Sequence, residues 1–243
     1  PYAAEISFDG VAAMSNAVGG VTVCTANSIN DPATGLVLPA GENTIQGATA
    51  LAFVRTRHGV GDGSDLGRIS NQQVFLSALA RKIASEGVLK NPLELYGIAK
   101  AAASNMELSD SLGHLDTMVA IALALKNIPL QNIVMVQYPV ASAPSDPNRV
   151  VPAVANATVL NKALQNDQPI QLTGQLGRAA VVDTNPTAPS PSASAVKAKD
   201  HETLSRTPSP APTQPPTQTV VQLPSSVVGQ NAAQQTCSKG NGR

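Results

Sequence analysis

Between residues 183 and 219 the chain is built from Pro, Ser, Thr and Ala with scarcely a large apolar side chain. Such a stretch cannot bury enough apolar surface to offset the entropy lost on ordering, so it reads as a disordered, partly extended linker. This break constrains everything else, because in 243 residues the core must come almost entirely from what precedes it. The expected organisation is a folded unit over residues 1–140, an uncertain extension packed on it over 141–182, the linker over 183–219, and a C-terminal tail over 220–243 that carries Cys237.

Within the first unit, hydrophobic spacing alternates between two periods. Phe8, Val11, Ala12 and Val18 recur at helical intervals and stop at Gly19-Gly20, where a left-handed cap forms easily; Val21-Thr-Val-Cys24 then reads as a strand. Residues 27–47, rich in Asn, Asp, Pro and Gly, read as loops around a short apolar stop at Leu36-Val-Leu38. Ile69, Val74, Phe75, Ala78, Leu79 and Ile83 predict a helix over residues 65–85, with Asp65 as its cap. Asn91-Pro92 and Ser109 open two further amphipathic helices, and residues 132–139 read as a returning strand that ends at Pro139. Val159-Leu-Asn-Lys-Ala-Leu164 is a candidate last helix. Strands alternating with helices indicate an α/β fold, a layered mixed sheet flanked by helices and followed by the disordered Pro/Ser/Thr-rich segment.

The chain holds 16 basic and 16 acidic residues, so no overall field draws it to nucleic acid or to an anionic membrane. No stretch reaches the roughly 20 apolar residues that span a bilayer. Cys24 and Cys237 have no C-x-x-C partner, which argues against a zinc ribbon or a redox dithiol. In an exported protein they are expected to form one disulfide, tying the C-terminal tail back beside the strand over residues 21–23; otherwise they are two free thiols.

Against this neutral background, arginines cluster. The apolar run ending Ala50-Leu-Ala-Phe-Val-Arg-Thr-Arg-His-Gly59 reads as a strand that places Arg55 and Arg57 on one face, as a fork. After a Gly-rich turn, Arg68 and Gln72 lie one turn apart at the start of the next helix. Arginine binds phosphate in planar, two-pronged fashion, so Arg55, Arg57 and Arg68 are candidates to bind a phosphate or diphosphate and to stabilise charge on it. Gln72 would orient a phosphate oxygen or the attacking hydroxyl. The plainer alternatives are solvated surface arginines, and for Gln72 a surface amide. Asp65 is read as a cap and no metal ligand is assigned. His58 lacks the partners of a catalytic triad. Phe53, Phe75, Leu79 and Ile83 are most simply core.

These residues resemble the LytR-CpsA-Psr proteins of bacterial cell envelopes. The resemblance rests on Ala50-Leu-Ala-Phe-Val-Arg-Thr-Arg-His-Gly59, Gly63-Ser-Asp-Leu-Gly-Arg68 and Gln72-Gln73, is supported by Leu36-Val-Leu-Pro-Ala-Gly41 and Ala17-Val-Gly-Gly-Val-Thr-Val23, and covers roughly the first 140 residues. It implies a glycopolymer transferase that forms a phosphodiester between a polyprenyl-diphosphate-linked glycopolymer and peptidoglycan, with magnesium, outside the cytoplasm. Arg55, Arg57, Arg68 and Gln72 fall on the family's diphosphate-contacting positions. Phe53, Phe75, Leu79 and Ile83 become possible walls of a greasy tunnel for the prenyl chain.

Two departures stand beside the match. Where the family usually has Arg-x-x-Arg-Gln-Gln, this chain has Arg68-Ile-Ser-Asn-Gln-Gln73, an expected loss of charge at the edge of the site. By the resemblance, residues 1–140 correspond to the C-terminal portion of the catalytic domain, so the fold is expected to be incomplete. The membrane anchor and magnesium ligands would then lie in an absent N-terminal half. The competing expectation is a non-catalytic envelope-binding or regulatory protein of the kind once labelled transcriptional attenuators, or an inactive fragment.

Overall fold

The computed structural model describes residues 4–85, 100, 104–114, 117, 120–121, 128–184 and 219–241. Most of the two helices expected after Asn91 and Ser109, and the linker from 185 to 218, lie outside these residues.

Helix α1 (Phe8–Ala17) is capped by Ser7, whose hydroxyl accepts from the Gly10 amide at 3.0 Å. After Gly19 and Gly20, both at positive φ, the chain enters β2 (Val21–Thr25), in which Val21, Val23 and Thr25 are buried while Thr22 faces out. This alternation is that of a strand with one face on a core. The stretch read as loops is more ordered than expected: β3 (Ile29–Asp31) and β4 (Leu36–Leu38) form a hairpin, and β5 (Gly41–Ile45) pairs antiparallel with β2.

The apolar run before the arginines is a helix, α2 (Gly47–Arg55), where a strand was expected. Short apolar runs fit either element, and here Ala48, Ala50 and Ala52 supply helix propensity while Ala50 and Phe53 bury one side. The helix stops because Thr56 turns extended and its hydroxyl donates to Asp31. Helix α3 (Asp65–Ser85) follows as expected, except that its cap is Ser64, whose hydroxyl accepts from the Gly67 amide at 3.1 Å. Asp65 is the first helical residue, leaving its carboxylate free to meet arginines.

Further along come β7 (Val134–Val136), the hairpin of β8 (Val140–Ala143) with β9 (Asp146–Pro152), and helix α4 (Val154–Gln165), which contains the last helix expected. The short strands β1 (Ala4–Ile6) and β6 (Met106–Leu108) pair with each other.

The C-terminal segment is part of the fold, not a tail. Strand β12 (Val221–Gln222) pairs with β10 (Ile170–Gln171), β13 (Gly229–Asn231) pairs with β7, and β14 (Thr236–Ser238) lies parallel to β2 and antiparallel to β11 (Ala180–Val182). The resulting four-stranded sheet runs β11-β14-β2-β5, a mixed sheet under α3. Cys237 is in register with Cys24, and the two form the expected disulfide. The main core gathers Val21, Val23, Ile45, Phe53, Val60 and Phe75 between sheet and helices, with the Phe53 and Phe75 rings 6.3 Å apart. A smaller core joins Leu160 of α4 to Leu223 and Val227.

Candidate functional site

Because α2 is a helix, Arg55 and Arg57 do not form a fork. Arg55 sits in the last helical turn with its guanidinium 4.7 Å from the centre of the Phe8 ring, a cation–π contact at the start of α1. Arg57 lies beyond the helix end and turns the other way: its Nε donates to the Gly63 carbonyl at 3.1 Å and lies 3.7 Å from the Asp65 carboxylate. Arg68, one turn into α3, reaches the same Asp65 oxygen at 3.2 Å. Arg57 and Arg68 are thus brought together around one carboxylate oxygen, half-exposed and open to an anion.

Two residues that sequence reasoning passed over hold this arrangement. Asp31 is fully buried at the end of β3, and its carboxylate accepts from the Thr56 hydroxyl, the Arg57 amide and the Ala33 amide. Burial alone would raise its pKa, but the Thr56 hydroxyl and the amides of Ala33, Arg57 and Gly59 outweigh it and hold the pKa below the ordinary value. Gly59 packs so closely that an added Cβ would lie 2.9 Å from both Asp31 Cβ and Thr56 Oγ1. The second is Asp62, which accepts from Ser64 and is bridged at 2.6 Å to Arg178, 116 residues away. Burial pushes the Asp62 carboxyl up, while Ser64 and Arg178 more than reverse this and bring it down to about 2.

Asn71, expected to leave the site's edge one charge poorer, is at no edge. It is fully buried; its amide donates to the Phe53 carbonyl at 2.6 Å and its oxygen accepts from the Ser238 hydroxyl. The residue ties α2, α3 and the C-terminal strand together.

Gln72 donates to the Val54 carbonyl at 3.0 Å and lines an apolar cavity of about 280 Å³ between α1 and α3. The cavity walls include Val11, Met14, Val54, Phe75, Leu76 and Leu79. Of the four residues expected as tunnel walls, Phe75 and Leu79 line it; Phe53 has no exposed surface and Ile83 packs on the main core. Leu76, half-exposed at 49%, is a wall that periodicity did not single out.

The carboxylates beside the arginines do not fit a magnesium site. Asp31 is filled with hydrogen bonds, Asp62 is taken by Ser64 and Arg178, and Asp65 by Arg57 and Arg68. Among the described residues, Cys24, Cys237 and Asp183 do bring three ligand-type groups together, but the two sulfurs are bonded to each other.

This arrangement of arginines, Gln72 and an apolar cavity can be set beside known proteins. A model of the LytR_cpsA_psr family matches residues 2–169. The chain belongs to the LytR_cpsA_psr family. Among curated members it is similar to the cell wall biosynthesis protein LcpA of Corynebacterium glutamicum, 34% identical over 139 residues that make up 57% of this chain and 26% of LcpA. The probable cell wall biosynthesis protein LcpB of the same organism is 36% identical over 139 residues, 57% of this chain and 32% of LcpB. The chain therefore spans about a quarter to a third of the length of these curated family members. Among solved structures, a LytR-Csp2A-Psr enzyme from Actinomyces oris superposes with a TM-score of 0.52 at 22% identity, covering 66% of this chain and 62% of that one. Protein gbs0355 from Streptococcus agalactiae gives 0.51 at 21% identity, covering 68% and 56%. These likenesses support the LytR_cpsA_psr fold, a mixed α/β layer.

Proposed function

We propose that the chain carries the diphosphate-binding part of a cell-envelope transferase, one that moves a glycopolymer from a polyprenyl diphosphate onto peptidoglycan. The observation that supports this most directly is the position of Gln72, which lines the apolar cavity one helical turn from Arg68. An apolar cavity whose polar edge, Gln72, lies one helical turn from the Arg68 guanidinium suits a ligand with a hydrocarbon tail and a charged head.

In such a transfer, a hydroxyl of peptidoglycan attacks the phosphorus that bears the glycopolymer. A new P–O bond makes the phosphodiester, the bridging P–O bond breaks, the hydroxyl proton is lost, and polyprenyl monophosphate departs. Negative charge grows on the departing phosphate, and guanidinium groups already in place stabilise it without rearranging. Arg57 and Arg68 meet this need together, and Arg55 stands at the end of α2 on the Phe8 side. The carboxylates by the arginines are already engaged, so this chain's own residues act here through the guanidinium groups. The Cys24–Cys237 disulfide and the cell-wall relatives favour an extracytoplasmic setting.

The test is glycopolymer transfer to peptidoglycan by the full gene product carrying Arg55→Ala or Arg57→Ala, alongside binding of a short polyprenyl diphosphate. The Arg57 change is expected to weaken binding roughly tenfold, as for loss of a charge-assisted hydrogen bond, and to slow transfer. Normal transfer with both variants overturns the reading; normal binding without transfer in the native protein favours the envelope-binding alternative.

A further inference from the structure

Of the three motif arginines, Arg55 is held differently from the other two. Arg57 gives its Nε to the Gly63 carbonyl and shares the Asp65 carboxylate with Arg68. Among the described residues no carboxylate or carbonyl pairs with Arg55; what holds its guanidinium is the face of Phe8, 4.7 Å away at the ring centre. That ring is 62% exposed, although an apolar side chain of this size is ordinarily turned inward.

Helix packing fixes where the pair lies. The Gly47 amide, at the start of α2, donates at 2.9 Å to the Ser15 hydroxyl near the end of α1, while Arg55 at the end of α2 meets Phe8 at the start of α1. The two helices are therefore antiparallel. Along α1, Phe8, Val11 and Ser15 share one stripe at i, i+3 and i+7, and Val11 and Ser15 line the apolar cavity. On α2 the residue just before Arg55, Val54, lines it too, and the Val54 carbonyl accepts from Gln72 at 3.0 Å. Phe8 thus continues the cavity wall outward at the end marked by Gln72, its polar edge.

A guanidinium can be steadied by a carboxylate or by an aromatic face, and the two leave it in different states. A carboxylate takes up N–H donors and offsets the charge. A ring face attracts the cation through its quadrupole while the five N–H donors at the guanidinium edge stay free. Resting on the diphosphate reading above, we propose that Phe8 is a positioning residue for substrate binding: its ring holds Arg55 at the mouth of the cavity with its donors unused. A long side chain loses rotamer freedom when it grips a ligand, and here much of that loss has already been met by the ring. Arg57 and Arg68 must exchange Asp65 for an incoming phosphate, whereas Arg55 gives up no hydrogen bond to accept one.

The probes are farnesyl diphosphate and inorganic pyrophosphate, titrated into the full gene product at fixed ionic strength. Phe8→Leu keeps an apolar side chain and removes the ring face. It is expected to weaken both probes by the same factor, about threefold for a cation–π contact at an exposed site, with the melting temperature unchanged and with Phe8→Trp restoring native affinity. In an Arg55→Ala background, Phe8→Leu should then have no further effect, since the two residues act as one unit. Losses that add in the double variant overturn the proposal, as does native affinity in Phe8→Leu. A loss confined to farnesyl diphosphate overturns it by making Phe8 a contact for the hydrocarbon alone, and a loss that follows a lowered melting temperature and is not restored by Trp makes Phe8 structural. The underlying reading fails separately: if Arg55→Ala and Arg57→Ala both bind the two probes as the native chain does, there is no diphosphate site, whereas losses there with none in Phe8→Leu remove only the role of Phe8.

Discussion

The turn from Gly59 to Asp65 and the segment from Val220 to Asn241 are both poor in regular structure, yet they are held by different forces. The turn is fixed by charge: Asp31, Asp62 and Asp65 accept from hydroxyls, amides and guanidiniums over a few residues. The C-terminal segment is fixed by covalent and apolar means, through Cys237 bonded to Cys24, Leu223 and Val227 in the smaller core, and strand pairing to β2, β7, β10 and β11. They meet where Gly61 and Asn241 donate to the Lys239 and Gly59 carbonyls at 2.8 and 3.0 Å. A charged loop that must stay open to a ligand buries little apolar surface of its own, here Val60; it borrows rigidity from a segment that buries more.

That dependence can be broken from the C-terminal side. Cys237→Ser should cause the largest loss of stability, about 2–5 kcal/mol for a native disulfide, seen as a lower denaturation midpoint and, if the turn relies on the segment, as weakened phosphate binding. Binding that survives intact at temperatures where the variant is still folded would show the turn to be self-supporting. Next in size is Asn71→Ala, which strands the Phe53 carbonyl and the Ser238 hydroxyl and should destabilise by about 1–3 kcal/mol, measured by urea denaturation.

From the side of the turn, Asp31 gives a pH test. Its folded pKa lies below the value of about 3.8 for the free group, so the folded state binds fewer protons. The stabilisation is present above that value and is lost as pH falls through the lower folded one. Asp31→Asn should therefore cost stability at neutral pH and flatten the loss between neutral and strongly acid conditions; an acid limb as steep as that of the native chain would remove Asp31 from the account. The smallest effect on stability is expected from Arg68→Ala, below about 1 kcal/mol because its pair with Asp65 is exposed. Its effect on diphosphate affinity should be much larger, and a change in melting without a change in affinity would make Arg68 structural.

How legible each region was in the sequence follows from the range of its interactions. Helices α1 and α3 declare themselves through spacing because their buried faces repeat locally. The Ala50–Val54 run is ambiguous at its length, and alanine propensity together with packing of Ala50 and Phe53 in the core selects the helix. The motif arginines could be listed but not oriented: Arg55 and Arg57 part company because of Asp31, a residue 25 positions from Thr56. Arg178 carried no local signal at all, since its partner is 116 residues away. Strands β12, β13 and β14 are two or three residues long and built largely from Gln, Gly, Asn, Thr and Ser, which no strand propensity would pick out. Their pairing is decided by the rest of the chain, with the cysteine pair as the one advance sign.

The Cys24–Cys237 bond also changes what a cut in the backbone means. It closes a ring that contains the whole Pro/Ser/Thr-rich stretch from 185 to 218. An envelope protease that clips this stretch would leave two polypeptides travelling as one molecule, a single band on a gel that separates into two when a reductant is added. Proteolysis there would mark the protein without dismantling it.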